Sequence, residues 1–541
     1  MKKTAIILSA LLALASCSLL DTTPEDYYAS GNYWQTTAQV EAYMPSLYNN
    51  LRKVVFNHTV RFGELGAGIY VSPVGTNGNN VADQPIIGHN LSPDVPGVDS
   101  WGGYYTAIAD CNLFIEKAGQ ATFLPADEQS YLLAQAYGLR ALLYFDLYRI
   151  YGGVPLRLEP DLAAHGENDV RNLYLARSSA SETMAQIMAD VDRSLELFGT
   201  QDGFDPYGMG AKTYWNKAAS ECLAAEILLW NTKVSVGDYA AKTDGELLAR
   251  AKSLLEDVAS RSDLALESNF ADIFSAANKA GSEVIFAVHY GIGEATNDLG
   301  NYLYHTSTGE IHNLFRKDGS QFGDPLSLGS GYNQTYQYIP EMYLQYEGAN
   351  CLAALDAPLD SRALATFLNV YDRTDAGLEM LGTVCVKNVG EVSSGTRVMS
   401  GDFILYRLGW VYLTLAEIAN YQEDASSFEK YINAVRKRAY GANWSENRKL
   451  TCSDFTTNEL ALLGEKDKEM LLEGQRWWDL RRMQAKRGDE SSHLLYMPAG
   501  NPAESGKPVL EEQFRALWPI STTIRANDPE LAPDSQQNPG Y

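Results

Sequence analysis

Cys17 is the residue whose setting most plainly calls for chemistry. It follows Leu14-Ala15-Ser16, small residues directly before a thiol, the pattern of a bacterial lipobox. Such a site undergoes thioether acylation of its sulfur and cleavage before the Cys, leaving a lipidated N-terminus. The upstream residues agree. Lys2 and Lys3 form a basic n-region, and Thr4 to Ala15 are twelve residues, almost all apolar or small. A membrane span needs about 20 such residues, so this run fits a secretory h-region. Residues 1–16 are expected to be a lipoprotein signal peptide and 17–541 the mature chain. Their removal takes away Lys2 and Lys3 and moves the formal charge from −25 to −27. No other stretch is long and apolar enough to cross a membrane, so the body reads as a soluble domain held by lipid. Several acyl chains anchor stably where one is marginal.

Catalytic motifs are missing. The seven histidines include no HExxH, and His305 and His312 share a loop without the ligand count of a metal site. There is no GxSxG elbow and no GxxxxGK loop ending in Ser or Thr. Any two of the 68 acidic residues could meet as a glycosidase pair, but nothing in their spacing selects two. No residue set for a cofactor or a metal stands out, and a glycosidase pair stays open on motif alone. Beyond the leader stand Cys111, Cys222, Cys351, Cys385 and Cys452, an odd number without a CxxC. Cys111 and Cys222 fall on apolar helix faces and read as buried, inert thiols. Whether Cys351 pairs with Cys385 is left open.

The elements that would position a site are mainly helical. Tyr104, Ile108, Cys111, Ile115 and Ala118 recur at helical spacing. So do Leu132 through Ile150, Tyr214 through Leu229, and Ile404 through Ile418. Asp402 is expected to cap the last of these, and Gly152-Gly153-Val154-Pro155 to stop the second. Interleaved alanines allow close approach of neighbouring helices, as in stacked helical hairpins of the TPR type. No strict 34-residue repeat is present, so such repeats would be degenerate. Residues 57–100 and 291–336 break the pattern with Gly, Asn, Asp and Pro and read as long irregular loops. Val284, Phe286 and Val288 alternate as a short strand.

Composition is that of a globular protein, with 45% apolar and 21% charged residues. A net charge of −25 disfavours gripping nucleic acid, which needs clustered Lys and Arg. The 33 Tyr and 9 Trp suit a binding surface and a core equally well. In Glu473-Gly474-Gln475-Arg476-Trp477-Trp478-Asp479-Leu480-Arg481-Arg482, Glu473 and Arg476 are three apart, as are Asp479 and Arg482, so both pairs can meet on one helix face. Gly474 would let another backbone approach, and the two Trp supply buried area. This segment reads as a structural clamp rather than a ligand site.

Several segments together resemble the SusD/RagB family of surface lipoproteins. They are residues 20–48, the run from Trp101 to Asn112, Arg140 to Phe145 with Tyr151 to Pro155, and Tyr406 to Glu417. Glu469 to Arg482, Leu517 to Ile520 and the closing Gln537-Asn538-Pro539-Gly540-Tyr541 complete the match. The resemblance implies a mainly α fold: a SusD-like helical scaffold with TPR-like hairpins, long irregular loops and few short strands. It divides 17–541 into an N-terminal part, 17–270, and a C-terminal part, 271–541. It implies an outer-membrane, surface-exposed lipoprotein that is not an enzyme but binds glycans and delivers them to a SusC-like TonB-dependent transporter. The alternative is a peptide or glycopeptide ligand, as in the RagB branch.

For a glycan, aromatic rings stack on the C–H face of a sugar while amides and charged groups bond its hydroxyl rim. The two loops hold that mixture. Trp101, Tyr70, Tyr332 and Tyr336 are the candidate stacking residues, and Asn77, Asn79, Asn80 and Asn333 the candidate polar partners. The bland alternatives are that Trp101 and Tyr336 pack helix starts and that the asparagines serve turns.

Overall fold

The computed structural model describes residues 33–71, 83–160, 173–243, 245–304, 310–329, 334–349 and 356–541. Helix α1 (Thr37–Phe56) starts at a capping box, in which Thr36 accepts from Gln39 N and the Gln39 side chain accepts from the Thr36 N–H. It continues directly into a π-helical segment, Asn57–Phe62, so the first expected loop begins as helix.

A run of helical hairpins follows. Helices α2 (Gly102–Gly119), α3 (Ala126–Tyr151), α4 (Ala180–Phe198), α5 (Lys217–Lys233) and α6 (Gly245–Ala259) each pack on the next. From Gly138 to Tyr151, α3 is buried on every side, and its arginines are ion-paired: Arg140 meets Asp190 at 2.6 Å and Arg149 meets Glu226 at 2.6 Å. Small residues make this approach possible, since a Cβ at Gly138 would lie 2.1 Å from the Trp215 indole nitrogen. Gly152, at φ +76°, ends α3 as expected. Asn216 caps α5 by accepting from Ala219 N at 3.0 Å, which moves that helix start past Tyr214.

The second group comprises α7 (Leu408–Tyr421), α8 (Ala425–Tyr440), α9 (Phe455–Glu469) and α10 (Arg476–Arg482). Helix α7 packs on α8, α9 and back on α6, joining the two groups. One hydrophobic core runs from Val40 to Leu531. No helix among the described residues is long and apolar enough to cross a membrane.

The strands are short and antiparallel. They pair as β1 (Tyr70–Val71) with β3 (Gln337–Tyr338), β2 (Val284–Val288) with β8 (Phe403–Arg407), β4 (Phe367–Thr374) with β5 (Gly377–Cys385), and β6 (Glu391–Ser393) with β7 (Thr396–Val398). Strand β2 appears where the alternation placed it, although all five of its residues are buried. The expected helix from Ile404 is corrected: Ile404 belongs to β8, and the helix starts at Leu408. Asp402 does not cap it. Its carboxylate accepts from Tyr290 N at 2.8 Å, across the strand pair. Phe403, Ile404 and Tyr406 are β-branched or aromatic and win a buried ladder there. Cys111, Cys222 and Cys385 are buried free thiols, and burial pushes Cys111 and Cys385 up to about 12. Cys351 lies outside the described residues.

Candidate functional site

The two-residue ladder between β1 and β3 places Tyr70 opposite Tyr338 and so ties the two irregular regions together. A buried carboxylate fastens the crossing. Glu64 Oε2 lies 2.8 Å from the Tyr70 hydroxyl and 2.9 Å from that of Tyr338, and the hydroxyls are 2.9 Å apart. Burial raises the pKa of all three groups. The phenols therefore keep their protons and serve as donors.

Outward from this bolt the aromatic rings continue. The Tyr70 ring meets that of Tyr336 edge-on at 5.8 Å, and Tyr336 stacks on Tyr302 at 5.0 Å with planes 9° apart. Phe56, at the end of α1, lies 4.8 Å from Tyr302. Backbone bonds hold the stack: Thr335 N and Tyr336 N both donate to Tyr302 O, at 2.8 and 2.9 Å. A polar pair borders it. Arg61 Nε is 3.2 Å from Asp83 Oδ2, its guanidinium lies 5.2 Å from the Phe56 ring centroid, and the Tyr336 hydroxyl donates to Asp83. Burial and the Asp83 charge both push the Tyr336 phenol well up.

Tyr302 is the partly open ring, and its hydroxyl bonds to no described residue. Arg61 and Asp83 keep 27% and 14% of their side chains exposed. An open ring beside an accessible cation and carboxylate is what the flat face and hydroxyl rim of a sugar require.

The expected stacking residues need correction. Tyr336 is 0% exposed and Tyr70 6%, so they support the stack from beneath rather than offering faces of their own. Trp101 is 8% exposed and starts α2, with Tyr105 and Tyr151 as ring partners, neither of them in this cluster. Tyr332, Asn333, Asn77, Asn79, Asn80 and Cys17 lie outside the described residues. Tyr302, Phe56, Arg61 and Asp83 were not singled out from the sequence. The available signal was that Tyr302 sits in the same Gly/Asn-rich region as Tyr336.

The clamp segment supports the site from behind. Gly474 N approaches Glu64 Oε1 at 3.4 Å, and Trp477 N donates to Gly63 O at 2.8 Å. A Cβ on Gly474 would lie 2.7 Å from Thr59 Cα, so the expected close backbone approach is real. Asp479 and Arg482 pair at 2.6 Å as their spacing implied. Glu473 and Arg476 do not, because Gly474 at φ +74° turns the chain before α10 begins. Glu473 bonds Arg407 and Lys387 instead, both at 2.6 Å, and Arg476 bonds Asp467.

Known proteins match this chain in both halves. A family model described as the SusD family matches residues 273–541, and one described as starch-binding associating with outer membrane matches residues 20–229. A crystal structure of a SusD superfamily protein from Bacteroides fragilis is 42% identical, with a TM-score of 0.86, over 94% of this chain and 100% of that one. The SusD-like protein P2 of Formosa agariphila is 23% identical over 98% of both chains. Surface glycan-binding protein A from Bacteroides thetaiotaomicron, in complex with laminarihexaose, shares the fold at a TM-score of 0.63 and 18% identity, over 93% of this chain and 99% of that one. Proteins of the SusD family bind their ligands and are not enzymes. With both halves matched and a 42% identical structure aligned along nearly its full length, the chain belongs to the SusD/RagB family.

Proposed function

We propose that this chain is an outer-membrane surface lipoprotein that captures an oligo- or polysaccharide and delivers it to a SusC-like TonB-dependent transporter. The observation that carries the reading is the partly open Tyr302 ring, stacked on Tyr336 beside the Arg61–Asp83 pair. A fixed ring presents a flat apolar face at little entropic cost, and the flanking charges orient hydroxyls. The family description of starch binding at the outer membrane supports it. So does the fold shared with a glycan-binding protein that holds laminarihexaose.

In this reading Cys17 carries the lipid anchor. Tyr332, Asn333, Asn77, Asn79 and Asn80 are further ligand partners, on chain segments that run up to Gln334 and from Val71 to Asp83. The test is affinity electrophoresis of residues 18–541 through gels containing plant, microbial and host polysaccharides. Retardation by one polymer is the expected result. Unretarded migration in every gel, together with binding of a peptide library, would contradict glycan capture and favour a RagB-like ligand.

A further inference from the structure

A second cleft, of about 400 Å³, opens between the 234–237 turn, the 490–496 segment, the 513–517 turn and residues 538–539. That volume falls in the range of about 300–1,000 Å³ usual for small-molecule sites. Arg481, from α10, lines it and is 4% exposed. Its guanidinium donates to Arg149 O and lies over the Trp230 ring at 4.9 Å. Among the described residues no carboxylate lies within ion-pair reach of it.

That isolation is unusual in this molecule. Every other buried arginine among the described residues holds a carboxylate: Arg140 pairs with Asp190, Arg482 with Glu417, and the rest likewise. A guanidinium has five N–H donors, and a buried charge without a counter-charge is costly. Arg177 adds a second cation at the same end. It donates to Asn538 Oδ1, on the cleft lining, and to three backbone carbonyls, with no carboxylate partner among the described residues. Burial pushes both guanidinium groups down to about 10, so both remain charged at neutral pH.

The rest of the lining gives Arg481 no ion-pair partner. Glu490 is its one acid, and that carboxylate already accepts from Ser235 N and Oγ, both at 2.7 Å. His493 donates Nε2 to Lys233 O at 2.9 Å, and burial holds it neutral, down at about 4. Tyr496 and Phe514 supply apolar walls.

We propose that this cleft binds the carboxylate of a small ligand, with Arg481 as the anchoring cation. A uronic acid sugar and a peptide C-terminus both carry that group. The inference does not rest on the Tyr302 site.

Titration calorimetry on residues 18–541 tests it, using digalacturonate, dialanine and neutral lactose as probes. Binding of digalacturonate or dialanine, with lactose silent, is expected, and the acid that binds identifies the source. Arg481→Gln should weaken that binding about tenfold or more, the scale of one charge-assisted hydrogen bond. Gln513→Glu, at an exposed position on the same lining, should weaken it without disturbing the fold. Silence of both acids at millimolar concentration, equal binding of lactose, or acid binding indifferent to Gln513→Glu would overturn the proposal.

Discussion

Tyr302 and Tyr336 stack with centroids 5.0 Å apart and planes 9° from parallel, yet only Tyr302 keeps part of its ring open. The two rings therefore divide the work. Tyr336 is a fixed base, held by Asp83 and by the backbone of Tyr302, and Tyr302 is the face a ligand meets. Tyr336→Phe removes the phenol that donates to Asp83 while keeping the ring. A stability loss of about 1 kcal/mol is expected in urea denaturation, with weaker glycan binding because Asp83 loses its orientation. Unchanged stability and binding would show that the Asp83 contact positions nothing.

Gly474→Ala tests the clamp. Its methyl would meet Thr59 Cα at 2.7 Å, in a left-handed backbone conformation that only Gly adopts without strain. That contact is with backbone and cannot swing aside. A loss of about 3 kcal/mol or more is expected, on the scale of severe overpacking plus backbone strain. A urea midpoint within experimental error of the parent would refute the close approach of residues 59–63 to 474.

Arg407 bridges Glu283, Glu469 and Glu473 at 2.6, 2.7 and 2.6 Å, all fully or nearly fully buried. Removing the guanidinium in Arg407→Ala leaves three buried carboxylates with only Arg362, Arg438 and Lys387 as counter-charges, and a loss of about 3 kcal/mol is expected. Arg407→Lys should rescue little, because a single ammonium cannot reach three carboxylates as the planar fork does. Thermal unfolding of both variants reads this directly. Full stability in the Lys variant would contradict the fork geometry.

Glu221 gives a pH-dependent prediction. Burial raises its carboxyl from 4.5 to about 7, and Lys217 at 3.9 Å offsets this only in part. A raised carboxyl pKa contributes stability that is present below the unfolded value and is lost as pH rises through the folded value. Glu221→Gln should therefore gain about 1–3 kcal/mol over the parent at pH 8 and nothing at pH 4. A gain that is the same at both pH values would show that ionisation is not the cause.

Periodicity made most of the scaffold legible. The runs at Tyr104 and Leu132, and the third from Lys217 onward, became helices because their apolar residues face one continuous core. Ile404 misled because a strand running straight into a helix leaves an apolar run that helical spacing also fits. Glu473 and Arg476 have the right separation for a pair, but spacing carries no information about the turn that Gly474 makes between them. Tyr70, Tyr336 and Trp101 were recognisable as aromatics in the right regions, whereas which ring stays open depends on a ladder between residues 70 and 338. Arg61 and Asp83 meet across 22 positions, and nothing local announces their pairing.

Affinity electrophoresis of the Tyr302→Ala chain, beside the parent and Trp101→Ala, tests glycan capture at the Tyr302 stack most directly. In a gel containing the polymer that retards the parent, Tyr302→Ala should lose about 1–2 kcal/mol of binding and run nearly free, on the scale of one aromatic contact. Tyr302→Ala also loses the ring contacts with Tyr336 and Phe56, so its unfolding midpoint should fall while the chain stays folded in the gel, and a folded Trp101→Ala chain should remain retarded. Full retardation of Tyr302→Ala, or loss of retardation in Trp101→Ala alone, would contradict a binding site built on Tyr302.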